Sequence, residues 1–423
     1  MVNNPVRECG LTKLELVARP LMPQTLAPPK APAADQSLVG RTVLQIVPDL
    51  QSGGAERATI DMAEALALAG GRCLVASRGG RMVSELQSKG GIWIPFPAAT
   101  KNPFAMALNS VQLARILRDE GVDIVHARSR APAWVAYYAT RQTGAKFVTT
   151  YHSAYYGSSP IKLRYNAVMA TGDTVIAISE FAAQRIRQLH PDASERVVVI
   201  PRGADLRVFS PNAVSPSRVQ RLRAQWNVAA HERVVLLPAR LAARKGHAVM
   251  IEAAKRLAAS DMSDIRILFV GDPHSENFRQ AIETQIQRAG VSDLVRNAGH
   301  CDDMPAAYLA AAAVVAPSIE PEAFGRVAIE AQAMGAPVVV SDIGASPEIV
   351  QAPPQTPRHQ ATGWRVPPGD PVALARAIGE ALSLTASARD ELMLRARDNV
   401  QSRFSIEQMQ RATLDVYRRL VQQ

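Results

Sequence analysis

Glu320-Pro321-Glu322-Ala323-Phe324-Gly325-Arg326-Val327-Ala328-Ile329-Glu330-Ala331-Gln332-Ala333-Met334-Gly335-Ala336-Pro337-Val338-Val339 reads as a loop, a helix and the start of a strand. The apolar run Ala313–Ala316 precedes it, and Ile329 and Met334 then pack inward from the helix. Gly335-Ala336-Pro337 ends that helix and launches the next run, Pro337–Ser341. Strand, helix and strand in this order make a βαβ unit, which requires a parallel sheet.

The same rhythm extends in both directions. Upstream, apolar runs fall at Val43–Val47, Arg72–Ala76, Ile92–Pro95, Ile124–Ala127, Phe147–Thr150, Val175–Ile178 and Val197–Ile200. After a polar, proline-containing stretch at Ser210–Ser217 it restarts with Val234–Pro238, Ile265–Val270 and Val295–Ala298. The reading is therefore a poorly ordered, proline-rich leader over 1–40 and an α/β domain over 41–208. A second α/β domain follows over 209–400, and a last helix over 401–423 carries Ile406, Met409, Leu414, Val416 and Leu420 among charges. A chain of 423 residues holds two such domains and little more. No apolar run reaches the roughly 18–20 residues that cross a bilayer. Three separated cysteines, Cys9, Cys73 and Cys301, argue against a disulfide framework or structural zinc and for a reducing, cytoplasmic setting. A formal net charge of +10 favours anionic partners without choosing among them.

Four places offer chemistry. The first strand runs into Gly53-Gly54, where a glycine turn brings backbone N–H groups close to an anion, although a plain tight turn fits the pattern too. Neither G-x-G-x-x-G nor a P-loop is present. Arg240 and Lys245 lie between the strand closing at Pro238 and a helix starting near His247, where open α/β sheets bind ligands. Two cations there suit a diphosphate, and solvated basic residues suit the spacing equally. Glu322 falls in the loop, while Phe324 and Gly325 offer N–H groups at the helix start. Glu330 sits on the helix among apolar and small neighbours, so it needs a polar partner such as a pair of ribose hydroxyls. His126 and His152 end two strands, where a lone histidine is more often structural.

The E-x7-E pair, Arg240/Lys245 with Gly246, and Gly53-Gly54 together resemble the retaining family 4 glycosyltransferases. Their fold, GT-B, is two facing Rossmann-like, doubly wound parallel-sheet domains with a C-terminal helix returning to the first. Ile200-Pro201-Arg202-Gly203-Ala204-Asp205, Val270-Gly271-Asp272 and Thr362-Gly363-Trp364 are further echoes, and the resemblance runs from about residue 42 to the end. It implies that Arg240 and Lys245 bind the donor diphosphate, that Glu330 bonds the ribose, and that Glu322 contacts the sugar helped by Phe324 and Gly325. It also implies that Gly53 and Gly54 close onto the phosphates and that His126 and His152 face the cleft. The chain departs from the family in having Arg202 where the linker usually carries Asn, and Ala239 where Gly usually precedes the arginine. Arg202, next to Gly203, either adds a phosphate contact or bridges the domains.

The implied reaction moves a hexose from a nucleotide-diphosphate sugar to a glycan or lipid-linked acceptor. Cations carry the leaving-group charge, and without a D-x-D sequence neither a cofactor nor a metal is expected. Twelve Lys and Arg against seven Asp and Glu over 101–200, with six of the eight tyrosines between Tyr137 and Tyr165, suit peripheral contact with an anionic membrane. An ordinary acceptor pocket fits them as well. His126–Pro132 resembles a segment of bacterial lipopolysaccharide-core and envelope-polysaccharide transferases, and no nucleic-acid partner is expected. The alternatives are a nucleotide-sugar epimerase on the same fold or a non-catalytic nucleotide-binding protein, in which Glu322 is dispensable.

Overall fold

The computed structural model describes residues 38–422 apart from 52, 153–158, 261 and 263. The expected leader thus lies, up to residue 37, outside the described residues. Seven strands form the first sheet: β1 (Thr42–Ile46), β2 (Arg72–Ser77), β3 (Gly91–Pro95), β4 (Ile124–Ala127), β5 (Lys146–Tyr151), β6 (Thr174–Ala177) and β7 (Val197–Val199). Six form the second: β8 (Arg233–Pro238), β9 (Ile265–Val270), β10 (Val295–Gly299), β11 (Ala311–Ala316), β12 (Val338–Ser341) and β13 (Trp364–Val366). The spatial orders are β3-β2-β1-β4-β5-β6-β7 and β10-β9-β8-β11-β12-β13, with every pairing parallel. The two-domain, doubly wound architecture expected from the sequence is therefore the one present. β13 is the strand the apolar runs do not announce: Trp-Arg-Val is too short and mixed to stand out from a turn.

Both sheets are covered on both faces by helices, which is why β1 and β4 are buried from end to end. One core packs β1 and β2 against the helix Gly54–Leu68, through Ile60, Met62 and Leu66. Its counterpart in the second domain packs β8, β9 and β11 against the helix His247–Ala258, through Met250, Ile251 and Ala254. In each sheet the strand order reverses once, between β1 and β4 and between β8 and β11. At such a point the helices diverge to opposite faces and leave a crevice beyond the strand ends.

The last helix, Ile406–Val421, returns to the first domain and buries Ile406, Met409, Tyr417 and Leu420 in the core beside the helix Gly54–Leu68. Gln410 donates to the Asp61 carbonyl at 2.7 Å. The return strand passes the linker closely: Ala204 N–H donates to Phe404 O at 2.8 Å, and Ile406 N–H to Ala204 O at 3.0 Å. A Cβ on Gly203 would sit 2.4 Å from the Ile406 Cα, so only glycine fits this crossing. No described helix is long and apolar enough to cross a membrane.

Candidate active site

A cleft of about 580 Å³ opens where the carboxyl ends of the two sheets face each other. The first domain contributes Gly54 and Ala55 after β1, His152 after β5, Ile178 after β6 and Arg202 after β7. The second contributes Arg244 and Lys245 from the turn after β8, and Ser318 and the run Glu320–Ala328 after β11. Four cations and two carboxylates therefore line it.

Lys245 and Glu322, both expected on the site, form its centre. The Lys245 ammonium lies 2.8 and 2.7 Å from the two Glu322 oxygens, with the side chains 16% and 24% exposed. The Ser318 hydroxyl also donates to Glu322. Each group is placed by backbone that admits no other course. Gly246, at φ 75°, ends the turn holding Lys245, and a Cβ there would fall 1.8 Å from the Pro317 carbonyl oxygen. Gly344 presses on the Glu322 backbone in the same way, and Ala345 N–H donates to Glu322 O at 3.0 Å. Phe324 and Gly325 line the cleft at the start of the helix Arg326–Ala333.

Arg202 lines the opposite wall, 8% exposed. It donates to Gly54 O at 2.7 Å and to His152 Nδ1 at 2.5 Å. Burial, together with the like charges of Arg326 and Arg128, lowers its pKa to about 9. Burial and the neighbouring Arg202 also hold the His152 pKa well below the ordinary imidazole value, so the ring is neutral. Since Nδ1 accepts, Nε2 carries the proton, and that buried N–H has no partner among the described residues.

Four sequence expectations need correction. Arg240 is exposed and does not line the cleft. Leu241 beside it is fully buried and bridges to Pro273, while Ala239, the residue before Arg240, and Arg244, in the short helical turn Ala243–Lys245, are on the cleft lining. His126 is buried inside the first domain, its Nδ1 2.6 Å from the Tyr417 hydroxyl and its Nε2 2.7 Å from Thr150 Oγ1. Both ring nitrogens are satisfied there, so it does not reach the cleft. Gly203 serves the crossing with Ile406, and Gly53 starts the helix Gly54–Leu68 at φ 142° without lining the cleft.

Glu330 is 7% exposed and lies behind the lining residues. Its polar partners are within the protein: Tyr308 OH donates to Oε2 at 2.9 Å and Arg326 Nη2 to Oε1 at 2.6 Å. The adjacent carboxylate raises the Arg326 pKa, and burial beside it raises that of Tyr308. Glu330 thus orients Arg326, a cleft cation that the sequence reading passed over although it stands between the two glutamates of the E-x7-E pair. Arg244 was the other omission, and Ser318 the third.

Residues 219–401 match the family described as Glycosyl transferases group 1, and residues 52–208 the one described as Glycosyltransferase Family 4. The D-inositol 3-phosphate glycosyltransferase of Salinispora tropica is 29% identical over 339 residues, covering 72% of this chain and 66% of that one. The same-named protein of Mycobacteroides abscessus is 31% identical over 219 residues, covering 51% and 45%. The chain thus spans 66% or less of the length of these curated relatives. Among solved structures, a glycosyltransferase from Rickettsia africae superposes with a TM-score of 0.81 at 34% identity, over 90% of this chain and 98% of that one. HepE of Anabaena, solved with UDP and glucose, superposes with a TM-score of 0.77 at 23% identity, over 89% and 99%.

Proposed function

The chain belongs to the glycosyltransferases, and from that premise we propose that it transfers a hexose, with retention, from a nucleotide-diphosphate sugar to an acceptor hydroxyl. The observation that carries the reading is the Lys245–Glu322 pair with Arg244 and Arg326 in a cleft between two domains. The donor diphosphate lies against Arg244 and Lys245. As the anomeric C–O bond breaks, negative charge grows on the departing phosphate, and fixed cations stabilise it there more than in the ground state. Glu322, released in part from Lys245, accepts from the sugar hydroxyls. The new bond forms from the acceptor oxygen on the same face, and the departing phosphate takes the acceptor proton. With this charge carried by side chains, the reaction runs without a metal; an unchanged rate in EDTA tests that. UDP and glucose, seen in the HepE structure, are the first donor pair to try.

For the acceptor, two supports pull apart. The name of the curated relatives favours a small phosphorylated polyol. The His126–Pro132 resemblance favours a lipopolysaccharide or envelope polysaccharide, yet His126 and Arg128 are 0% and 4% exposed and offer no surface to a glycan. We adopt the small acceptor, and keep the envelope glycan as the second reading for one observation. On the helix Pro103–Asp119, Phe104, Leu108 and Val111 are 84%, 73% and 46% exposed at spacings of four and three, with Arg115 and Arg118 also exposed. An apolar stripe flanked by cations suits an anionic leaflet. Cys73 and Cys301 are free thiols, consistent with a cytoplasmic place of action.

Incubation with UDP-, GDP- and ADP-sugars, following nucleoside diphosphate release with small polyol phosphates or membrane lipid extract, tests the whole reading. Release that needs an acceptor supports it. No release with any pair, and no nucleoside diphosphate bound, overturns it. Sedimentation with phosphatidylglycerol vesicles, lost on Phe104→Ser/Leu108→Ser, decides the membrane contact.

A further inference from the structure

Arg244 and Lys245 suffice for one diphosphate, and a further cation, Arg202, stands apart from them, on the wall of the first domain. Its guanidinium is buried and makes no ion pair among the described residues; the Gly54 carbonyl and the neutral His152 ring that hold it are both uncharged. Asp61 and Glu56 attract it without forming an ion pair among the described residues, and a desolvated cation so held is stabilised further by an anion that comes to it. Behind it a recess of about 20 Å³, shared by Arg202, Arg128 and His152, contains no carboxylate in its walls. That volume admits at most a water, so an anion would sit at the mouth of the recess, in the cleft. Arg326 approaches from the second domain, its orientation set by Glu330 and its side chain 40% exposed. Its charge and that of Arg202 repel each other across the cleft.

We propose that Arg202, held by His152 Nδ1, and Arg326, on opposite walls of the cleft, bind a phosphate group carried by the acceptor. Two guanidiniums present the planar, multiply donating surface that a phosphate monoester dianion fills. The inference rests on the donor reading above, because only a nucleotide already lodged on Arg244 and Lys245 leaves Arg202 to a second anion. It gives selectivity: a hydroxyl compound lacking the phosphate leaves the buried Arg202 guanidinium without an ion-pair partner among the described residues.

Inorganic phosphate is the probe, added in millimolar amounts to the full-length chain saturated with UDP, or with whichever nucleoside diphosphate binds, against sodium chloride of equal ionic strength. Phosphate raises the melting temperature of the nucleotide-saturated wild type above the chloride control. Arg202→Gln keeps a donor for Gly54 O but removes the charge; it weakens phosphate roughly 10- to 100-fold and leaves the nucleotide-induced shift in place. Arg202→Lys restores part of the phosphate effect, which a merely structural arginine would not do. No phosphate increment in the nucleotide-saturated wild type overturns the proposal, as does an undiminished increment in Arg202→Gln. Loss of the nucleotide shift in Arg202→Gln also overturns it, by assigning Arg202 to the donor diphosphate. If no nucleoside diphosphate shifts the wild type at all, the donor reading fails first and takes this one with it.

Discussion

Lys245→Ala separates the two uses of one cation. In the protein its ammonium lies 2.7 and 2.8 Å from both Glu322 oxygens. At that separation and an effective dielectric near 20, the raw attraction is about 6 kcal/mol, most of it offset by desolvating two side chains. A bound diphosphate wins a charge-assisted bond worth about 1.5–3 kcal/mol but draws the ammonium away from Glu322. The net contribution to nucleotide affinity is then small, about 1 kcal/mol, or roughly fivefold. In the transition state there is no such offset, because the charge appearing on the leaving phosphate is new. Losing one preorganised donor to it costs about 2.7–4 kcal/mol, or 10²–10³ in kcat. Steady-state release of nucleoside diphosphate, with donor varied, should therefore show kcat falling by two to three orders and KM rising less than tenfold. Adding Glu322→Gln to Lys245→Ala removes the carboxylate left unpaired and recovers nucleotide affinity relative to the single variant. A kcat within fivefold of wild type, or a hundredfold rise in KM at unchanged kcat, would refute leaving-group stabilisation by Lys245.

Gly246→Ala should lose on the order of 3 kcal/mol in urea unfolding, because its Cβ would lie 1.8 Å from the Pro317 oxygen at φ 75°. Tyr417→Phe removes the hydroxyl 2.6 Å from His126 Nδ1; it should cost about 1–2 kcal/mol of stability at unchanged kcat, whereas a fall in kcat without loss of stability would return His126 to the reaction. Asp61, 6% exposed, has its pKa raised from 3.8 to about 6, chiefly by burial. The ionised carboxylate therefore costs stability above pH 6, and the cost disappears as the pH falls through 6 towards 4. Asp61→Asn is neutral throughout, so its unfolding free energy relative to wild type should rise by up to about 3 kcal/mol between pH 4 and pH 8; a gap that does not change with pH contradicts the burial of that charge.

Apolar runs made nearly all of this fold legible, because parallel strands buried on both faces write themselves as continuous Val, Ile, Leu and Ala. β13 escaped because Trp364-Arg365-Val366 draws its place from β12 and not from its own letters: Arg365 reaches across to Ala352 O at 3.0 Å. The site was legible where position along the chain decides it. Lys245 and Glu322 lie in loops after the two strands flanking the switch point, and loops there can only face the cleft. It was illegible where direction decides. Nothing in Ala239-Arg240-Leu241-Ala242-Ala243-Arg244 says that Leu241 is buried or that Arg244, and not Arg240, falls on the cleft lining. Nor do neighbours in sequence disclose that His126 is satisfied by Tyr417, almost three hundred residues later, once the last helix returns.

The two domains also meet through the loop that carries Glu322. Ser179 Oγ, at the start of the helix Glu180–Leu189, donates to the carbonyl of Ala323 at 2.7 Å, next to Glu322. Glu348, from the second domain, accepts from the Glu180 and Phe181 N–H groups at 2.8 and 2.6 Å, filling the anion-attracting end of that helix. Opening the cleft would exchange these contacts together for hydrogen bonds to water, so they favour the closed arrangement by a modest net amount and tether Ala323 in it. The Ser179 bond to Ala323 thus adds, when the cleft is shut, to the hold that Ala345 already has on the Glu322 backbone. On the proposed reading, the same bonds would limit donor hydrolysis by keeping water out of the shut cleft.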